Sequence, residues 1–261
     1  MILLIVVVAA FLALAMAGAW AVQRSTGNSG WIDAVWSFAT GAAGVAMALA
    51  PVDGPPDGRQ ILAAVLVGAW GLRLGWHIAA RSAGAADDPR YAALRGEWGA
   101  AFHSRLFWFL MIQAACALVL ALAVLTASRG PAPFPAVTDF LAVAIMLVGV
   151  GGEALADAQL RAFRADPANR GKVCDTGLWG WSRHPNYFFE WLVWLAWPVM
   201  ALGGGWGWGV VTLAAPVLIY WLLVHASGIP PLEAAMLRSR GALYAAYQAR
   251  VSAFFPWPPG G

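Results

Sequence analysis

The sequence predicts an all-α, polytopic integral membrane protein of about seven transmembrane helices. Hydrophobic residues make up 61% of the chain and charged residues only 11%, whereas a soluble domain carries about 25% charged residues. Several apolar runs are long enough to cross the ~30 Å hydrocarbon core of a bilayer. The chain also has 16 Trp, a residue favoured at the interface between membrane and water.

Gly, Pro or charged residues separate seven apolar segments, each of which is predicted to be a helix. The first segment lacks the basic region and cleavage site of a signal peptide, so we interpret it as a retained helix. No soluble domain or internal repeat interrupts the series, which predicts a single membrane domain over residues 1–261. The predicted helices are 1–22, 31–50, 60–80, 105–128, 137–160, 185–202 and 208–226.

The positions of Lys and Arg predict the orientation, because cations are retained on the cytoplasmic side during insertion. With the N-terminus outside, 13 of the 16 cations fall in loops or the tail on the cytoplasmic side. Arg59 and Arg129 lie on the opposite side, and Arg73 lies within the third apolar run. This distribution favours an odd number of spans and a cytoplasmic C-terminus.

Some functional classes are excluded by the pattern of residues. Cys116 lies in an apolar run and Cys174 in a polar loop, so neither a disulfide nor a metal site is expected. The net charge of +3 comes from short loops between helices, so we do not expect nucleic acid as a partner. The expected partners are membrane lipids and a hydrophobic small-molecule substrate.

A polar stripe follows the fifth apolar run. Glu153, Asp157 and Arg161 recur every four residues, so they share one face if the helix continues. Acids at membrane depth are costly and usually face a cavity or a partner. The stripe therefore indicates either a binding site or a set of structural ion pairs.

The segment after this stripe is predicted to bind phosphates. It contains Asp166-Pro-Ala-Asn169-Arg-Gly-Lys172 and then Arg183-His-Pro-Asn-Tyr. Pro185 suits the first turn of a helix, whose N-terminus favours anions. The cations Arg164, Arg170, Lys172 and Arg183 exceed what one phosphate needs, and NADPH, with a pyrophosphate and a further phosphate, fits them.

Inside the sixth predicted helix, Asn186 and Glu190 lie one turn apart among Tyr187, Phe188 and Trp191. An amide and a carboxylate among aromatic rings are suited to line the pocket of a flat, partly polar ring. The alternative for His184, Asn186 and Glu190 is a capping network at a helix end. The tail residues Tyr244 and Tyr247 are predicted on a short amphipathic helix, as a membrane anchor or a cover for the cofactor.

Two further polar residues lie nearer the N-terminus. Asp33 begins the second helix, and His77 lies in the third, one turn from Arg73 and Arg81. An acid and a histidine among apolar helices can exchange a proton with a substrate carbonyl if they approach each other. We therefore predict Asp33 and His77 as catalytic residues, the alternative for His77 being a core histidine with a hydrogen-bond partner.

Three stretches carry a family resemblance: EALADAQLRAF, NRGKVCDTGLWGWSRHPNYFFEW and LYAAYQARVSAFFPWPP. With them the chain resembles the steroid 5-alpha-reductase-like membrane proteins, and within these the bacterial DUF1295 branch, which implies a location in the bacterial inner membrane. The resemblance extends upstream through WIDAVW, RLGWH and DDPRY and covers most of the chain. The RHPNY core has a similar counterpart in isoprenylcysteine carboxyl methyltransferases and sterol reductases.

The resemblance implies a seven-helix enzyme in which residues 137–261 hold NADPH and residues 1–130 enclose a lipid-like enone. Hydride would pass to the beta carbon of the double bond while an acid polarises the conjugated carbonyl. In the steroid enzymes a Glu on the second helix and a Tyr on the third contact that carbonyl, and the nearest residues here are Asp33 and His77. By matching position, the resemblance implies cofactor contacts for Asp157, Arg164, Asn186 and Glu190.

The predicted function is an NADPH-dependent reductase of the activated double bond in a hydrophobic enone, such as a steroid-like or isoprenoid lipid. The alternatives are a membrane methyltransferase that uses S-adenosylmethionine and a non-enzymatic lipid-binding protein. The complete set of predicted cofactor residues is Glu153, Asp157, Arg161, Arg164, Asn169, Lys172, Arg183, His184, Asn186, Tyr187, Glu190 and Tyr247.

Overall fold

The computed structural model describes residues 1–52, 54–83 and 87–258, and within these ranges the regular secondary structure is entirely helical. Short 3-10 turns, and a π turn at Leu222–Ala226, connect some of the helices. The helices of these ranges are α1 Ile2–Thr26, α2 Gly30–Leu49, α3 Gly58–Ser82, α4 Pro89–Trp98, α5 Phe102–Ser128, α6 Val137–Ala165, α7 Pro185–Ala201, α8 Trp206–Thr212, α9 Ala214–Trp221, α10 Ile229–Arg240 and α11 Ala242–Arg250.

Six helical segments in the described part of the chain are long and apolar enough to cross a membrane, so the protein is an integral membrane protein. The predicted segment 185–202 is helical as α7. Its 17 residues span only about 25 Å at ~1.5 Å per residue, and the count of seven spans stays a prediction. The six segments are Ile2–Thr26, Gly30–Leu49, Gly58–Ser82, Arg90–Ser128, Val137–Ala165 and Gly209–Arg240.

The chain forms two compact units. The first unit comprises Met1–Leu141 with Trp197–Ala215, and the second comprises Ala142–Ala196 with Pro216–Gly261. The first unit therefore contains α1 to α5, and the second contains most of α6 and α7 together with α10 and α11.

Glycines bring α2 and α3 of the first unit into backbone contact. A Cβ added to Gly41 would lie 2.9 Å from the Cα of Gly71, and one added to Gly75 would lie 2.6 Å from the ring of Phe38. Close approach of small residues is the usual way in which helices associate in a membrane, where no hydrophobic force draws them together. Leu12, Ile32 and Leu106 belong to the buried core formed by α1, α2 and α5.

Arg59 and Arg129, the two cations predicted on the outer side, are both bound within the protein. Arg59 pairs with Asp139 at 2.8 Å, both side chains being 2% exposed, and donates to the carbonyls of Gly130, Ala132 and Pro133. Arg129 donates to the carbonyls of Met47 and Ala50 at the end of α2. Both cations thus satisfy backbone acceptors where helices end.

Candidate functional site

Two glycines of α6 set the register between α6 and α7 in the second unit. A Cβ added to Gly149 would lie 2.7 Å from the side chain of Val193, and one added to Gly152 would lie 2.4 Å from the ring of Phe189. The contacts move back along α7 as they move forward along α6, so the two helices are antiparallel. These glycines therefore allow α6 and α7 to pack closely.

This register brings the polar stretch at the end of α6 alongside the first two turns of α7. The α6 helix continues to Ala165, as the acidic stripe requires, and Glu153 and Asp157 are buried on it. Asp157 is level with His184, which precedes α7, and the indole of Trp179 donates to the Ala156 carbonyl at 3.0 Å. Buried acids in such a position need polar partners.

The residues predicted on α7 lie within its first two turns. Pro185 is the first residue of the helix, as expected. Glu190 is buried and accepts a hydrogen bond from the indole of Trp194 at 2.9 Å, while Asn186 is half-buried. The second unit thus combines three buried carboxylates and an amide on two antiparallel helices.

The predicted phosphate-binding cations follow the buried acids along the chain. Arg161 and Arg164 are exposed in the last turns of α6, and Arg170 and Lys172 are exposed in the loop after it. Asn169 donates from its amide to the Phe163 carbonyl at 3.0 Å, so it caps the end of α6. The polarity therefore changes from buried acids to exposed cations along one helix and its loop.

Arg183 is bound to the C-terminal part of the chain. Its guanidinium forms a two-point ion pair with Glu233, at 2.6 and 3.2 Å, and donates to the carbonyls of Gln248 and Val251. His184 Nε2 lies 3.1 Å from Glu233 Oε1, and the Gln248 amide donates to Glu233 Oε2 at 2.7 Å. This Glu233 cluster joins α7 to the tail, and a phosphate contact by Arg183 stays a prediction.

The sequence analysis did not predict a role for Glu233, which lies in the α10 sequence Pro-Pro-Leu-Glu. The available signal was an isolated acid in a tail whose other charged residues are arginines. Such an acid needs a cation, and the fold supplies one 50 residues earlier in the chain.

Tyr187 and Tyr247 each hold part of the loop before α7. The ring of Tyr187 stacks on His184 with centroids 5.6 Å apart, and the Tyr247 hydroxyl donates to the Trp179 carbonyl at 2.5 Å. Tyr247 lies on α11, which confirms the short helix predicted for the tail. Burial raises the pKa of Tyr247 well above its ordinary value, so the phenol is neutral at physiological pH.

An aromatic cluster fixes the end of the tail to α7 and α9. Phe254 and Phe255 make edge-to-face contacts with Phe188 and Trp191, and Tyr220 packs on both tail rings. Ring pairs of this geometry add stability beyond the area that they bury. The aromatic residues predicted to line a ring pocket are thus partly engaged with the tail.

A second polar cluster lies in the first unit around Asp33. Arg90 forms an ion pair with Asp33 and another with Asp88 at 3.0 Å. The Tyr91 hydroxyl donates to Asp33 Oδ1 at 3.1 Å, and the Gln113 amide donates to Tyr91 at 3.4 Å. The Asp33 cluster therefore consists of an acid, a phenol and a guanidinium.

Arg90 and Tyr91 on α4 hold the carboxylate of Asp33. His77, predicted with Asp33 as a catalytic residue, is half-buried on α3, and the catalytic role of the two residues stays a prediction. The missed signal was the Asp-Asp-Pro-Arg-Tyr sequence, because Asp before Pro is typical of a helix start. Asp88 accepts from the Arg90 backbone as that cap. Burial opposes ionisation of Asp88, but the hydrogen bonds and charge of Arg90 outweigh it and lower its pKa.

No group of three or more His, Cys, Asp or Glu residues that suits a metal ion occurs in the part of the chain that the structure describes. Cys116 and Cys174 are both free thiols, and burial raises the pKa of the loop residue Cys174.

The fold and its two clusters define a polytopic α-helical membrane protein with clustered acids in each unit. The chain belongs to the DUF1295 family, described as proteins of unknown function, whose model matches residues 19–251. This match confirms the predicted DUF1295 membership. No curated protein and no solved structure matches the chain.

Proposed function

We propose that the protein is an NADPH-dependent membrane reductase of the activated double bond in a hydrophobic enone. One observation carries the proposal: three buried carboxylates and an amide lie within two neighbouring turns of the antiparallel pair α6 and α7, followed along α6 by exposed cations. A dinucleotide carries complementary groups in the same order. Its carboxamide and ribose hydroxyls can bond to the carboxylates and the amide, and its phosphates can bind the cations.

The chain would hold the dinucleotide through groups of matching polarity. Glu153, Asp157 and Glu190 are acceptors for ribose hydroxyls and for the carboxamide, which Asn186 also suits. Arg161, Arg164, Arg170 and Lys172 supply charge-assisted bonds to the phosphates. When bound, NADPH would supply the hydride for the reduction.

The Asp33 cluster supplies the acid of the proposed reaction. A phenol has one O–H proton, so Tyr91 would polarise a conjugated double bond by turning its hydrogen bond from Asp33 Oδ1 to the substrate carbonyl oxygen. Tyr91, held by Asp33 and Gln113, therefore joins Asp33 and His77 among the proposed substrate residues. The surrounding core of α1, α2 and α5 is apolar, as a lipid-like substrate requires.

The decisive experiment is a titration of the purified full-length protein in detergent with NADPH and, separately, NADH. We expect NADPH to bind at least tenfold more tightly, because its 2′-phosphate adds charge-assisted hydrogen bonds of ~1.5–3 kcal/mol. Arg164→Ala should weaken NADPH binding by about tenfold or more. Arg105→Ala, which removes an exposed arginine of α5 in the first unit, should leave it unchanged.

Other outcomes assign the protein to the competing classes. Absence of binding to both dinucleotides, with thermal stabilisation by S-adenosylmethionine, would establish the methyltransferase. If neither cofactor shifts the unfolding temperature, the reductase is rejected in favour of a lipid-binding protein.

A further inference from the structure

The tail and the loop before α7 form an open groove in the second unit. Its volume is about 520 Å³, and it is lined by Arg183 and by residues between Gln248 and Pro258. The hydrogen bond from the Trp257 backbone to the Trp181 carbonyl, at 3.0 Å, places the end of the tail beside this loop. The described residues that line this tail groove lie outside α6 and α7, and the groove shares Arg183 with the predicted cofactor residues.

The charges of the tail groove favour an anionic ligand. Arg183 and Arg250 line it, and none of the nine lining residues within the described ranges is acidic. Arg183 is bound to Glu233. Among the described residues, Arg250 pairs with Asp175 at 3.2 Å, and these two side chains are 52% and 42% exposed. An ion pair as exposed as this is worth ~0–1 kcal/mol, so a phosphate can replace the Asp175 carboxylate at little cost.

The rim of the tail groove is aromatic and exposed. Trp257 and Phe255 line the groove and are 71% and 48% exposed, and Trp181, whose carbonyl accepts from the Trp257 backbone, is 49% exposed. Large rings are unfavourable in water but favourable at the level of lipid headgroups, where the ring is partly buried and the indole N–H stays hydrated. A soluble phosphate would use the arginine and leave these rings unoccupied, whereas a phospholipid uses both.

We propose that the tail groove binds the headgroup of an anionic phospholipid. The phosphate contacts Arg250, and the glycerol and upper acyl chains pack against Trp257 and Phe255. Arg183, fixed by Glu233 and the tail carbonyls, forms the rigid floor. The lipid thereby fastens the end of the tail to the membrane surface.

The test measures lipids retained by the purified full-length protein, by native mass spectrometry after addition of dioleoyl phosphatidylglycerol or dioleoyl phosphatidylcholine. We expect wild-type protein to retain phosphatidylglycerol in preference to phosphatidylcholine. Arg250→Gln with Trp257→Ala should weaken this binding about tenfold, while Arg250→Lys should largely preserve it. Asp175→Asn should strengthen it, because that change removes the acid that competes with the phosphate.

A matched control is Arg105→Gln with Trp108→Ala, which removes an exposed arginine and a 68% exposed tryptophan from α5. We expect this variant to bind phosphatidylglycerol as wild type does. Equal retention of both lipids, or unchanged binding in the Arg250 and Trp257 variant, would overturn the proposal. Equally, displacement of the lipid by NADPH or by 10-fold excess inorganic phosphate would show a nucleotide or phosphate site instead.

Discussion

At the scale of single residues, buried polar groups in this protein are bound by partners far away in the sequence. Arg59 meets Asp139, Arg183 meets Glu233, and Tyr247 meets the Trp179 carbonyl. Each contact removes the cost of leaving a polar group unsatisfied in an apolar interior. The arginines that look like free cations in the sequence are therefore partly structural.

Alkaline pH should destabilise the protein through its buried tyrosines. The chain has five Tyr and a single Lys, so tyrosines dominate its titration above pH ~10. Burial raises the pKa of both Tyr244 and Tyr247. Because the folded state favours the neutral phenol, the stabilisation is complete below the unfolded pKa of ~10 and is lost as the pH rises through the folded pKa.

The measurement is the thermal unfolding midpoint in detergent between pH 7 and pH 11. Tyr247→Phe should lower the midpoint at pH 7 by about 2–4 °C, because the hydrogen bond to Trp179 is lost. Its decline above pH 10 should be shallower than that of wild type. Parallel profiles for the two proteins would contradict a role for Tyr247 in the alkaline transition.

At the scale of helices, glycines decide which pairs pack closely. Gly41 and Gly71 join α2 to α3, and Gly149 and Gly152 join α6 to α7. Gly228 similarly brings the start of α10 against the backbone of Leu223, where a Cβ would lie 2.4 Å from the Leu223 carbonyl oxygen. The close packing of the helix pairs that carry the acidic residues thus depends on glycines.

Neighbouring glycines of α6 provide a matched test of this packing. A Cβ at Gly152 would meet the Phe189 ring, whereas one at Gly151 would meet nothing within 4 Å. We expect Gly152→Ala to destabilise the protein by ~1–3 kcal/mol through overpacking. Gly151→Ala should be neutral or stabilising, because alanine favours helix by ~1 kcal/mol. Equal unfolding midpoints for the two variants would refute the close α6–α7 contact.

At the scale of the whole molecule, the chain is an integral membrane protein made of two compact units. Six helical segments of its described residues have the length and composition of spans. The shorter helix α7 is the candidate for a seventh span. An odd number of spans places the two termini on opposite sides of the membrane, and an even number places them on the same side. The role of α7 therefore decides the topology.

Reporter fusions at each terminus test the predicted topology. With 13 of 16 cations predicted on the cytoplasmic side, green fluorescent protein fused after the C-terminus should be fluorescent. Alkaline phosphatase fused there should be inactive, because it needs the periplasm to form its disulfides. A reporter at the N-terminus should give the opposite result, and termini on one side would show that α7 does not cross the membrane.

The membrane class, most helix positions and the family follow from the sequence, because hydrophobic length and local motifs are properties of contiguous residues. The acidic stripe on α6 and the start of α7 at Pro185 could be predicted from the sequence for the same reason. The partners of the polar residues could not be predicted from the sequence. Arg90 lies 57 residues from Asp33, and Glu233 lies 50 residues from Arg183. Only tertiary packing brings such residues together, since their contact depends on helix register and not on spacing along the chain.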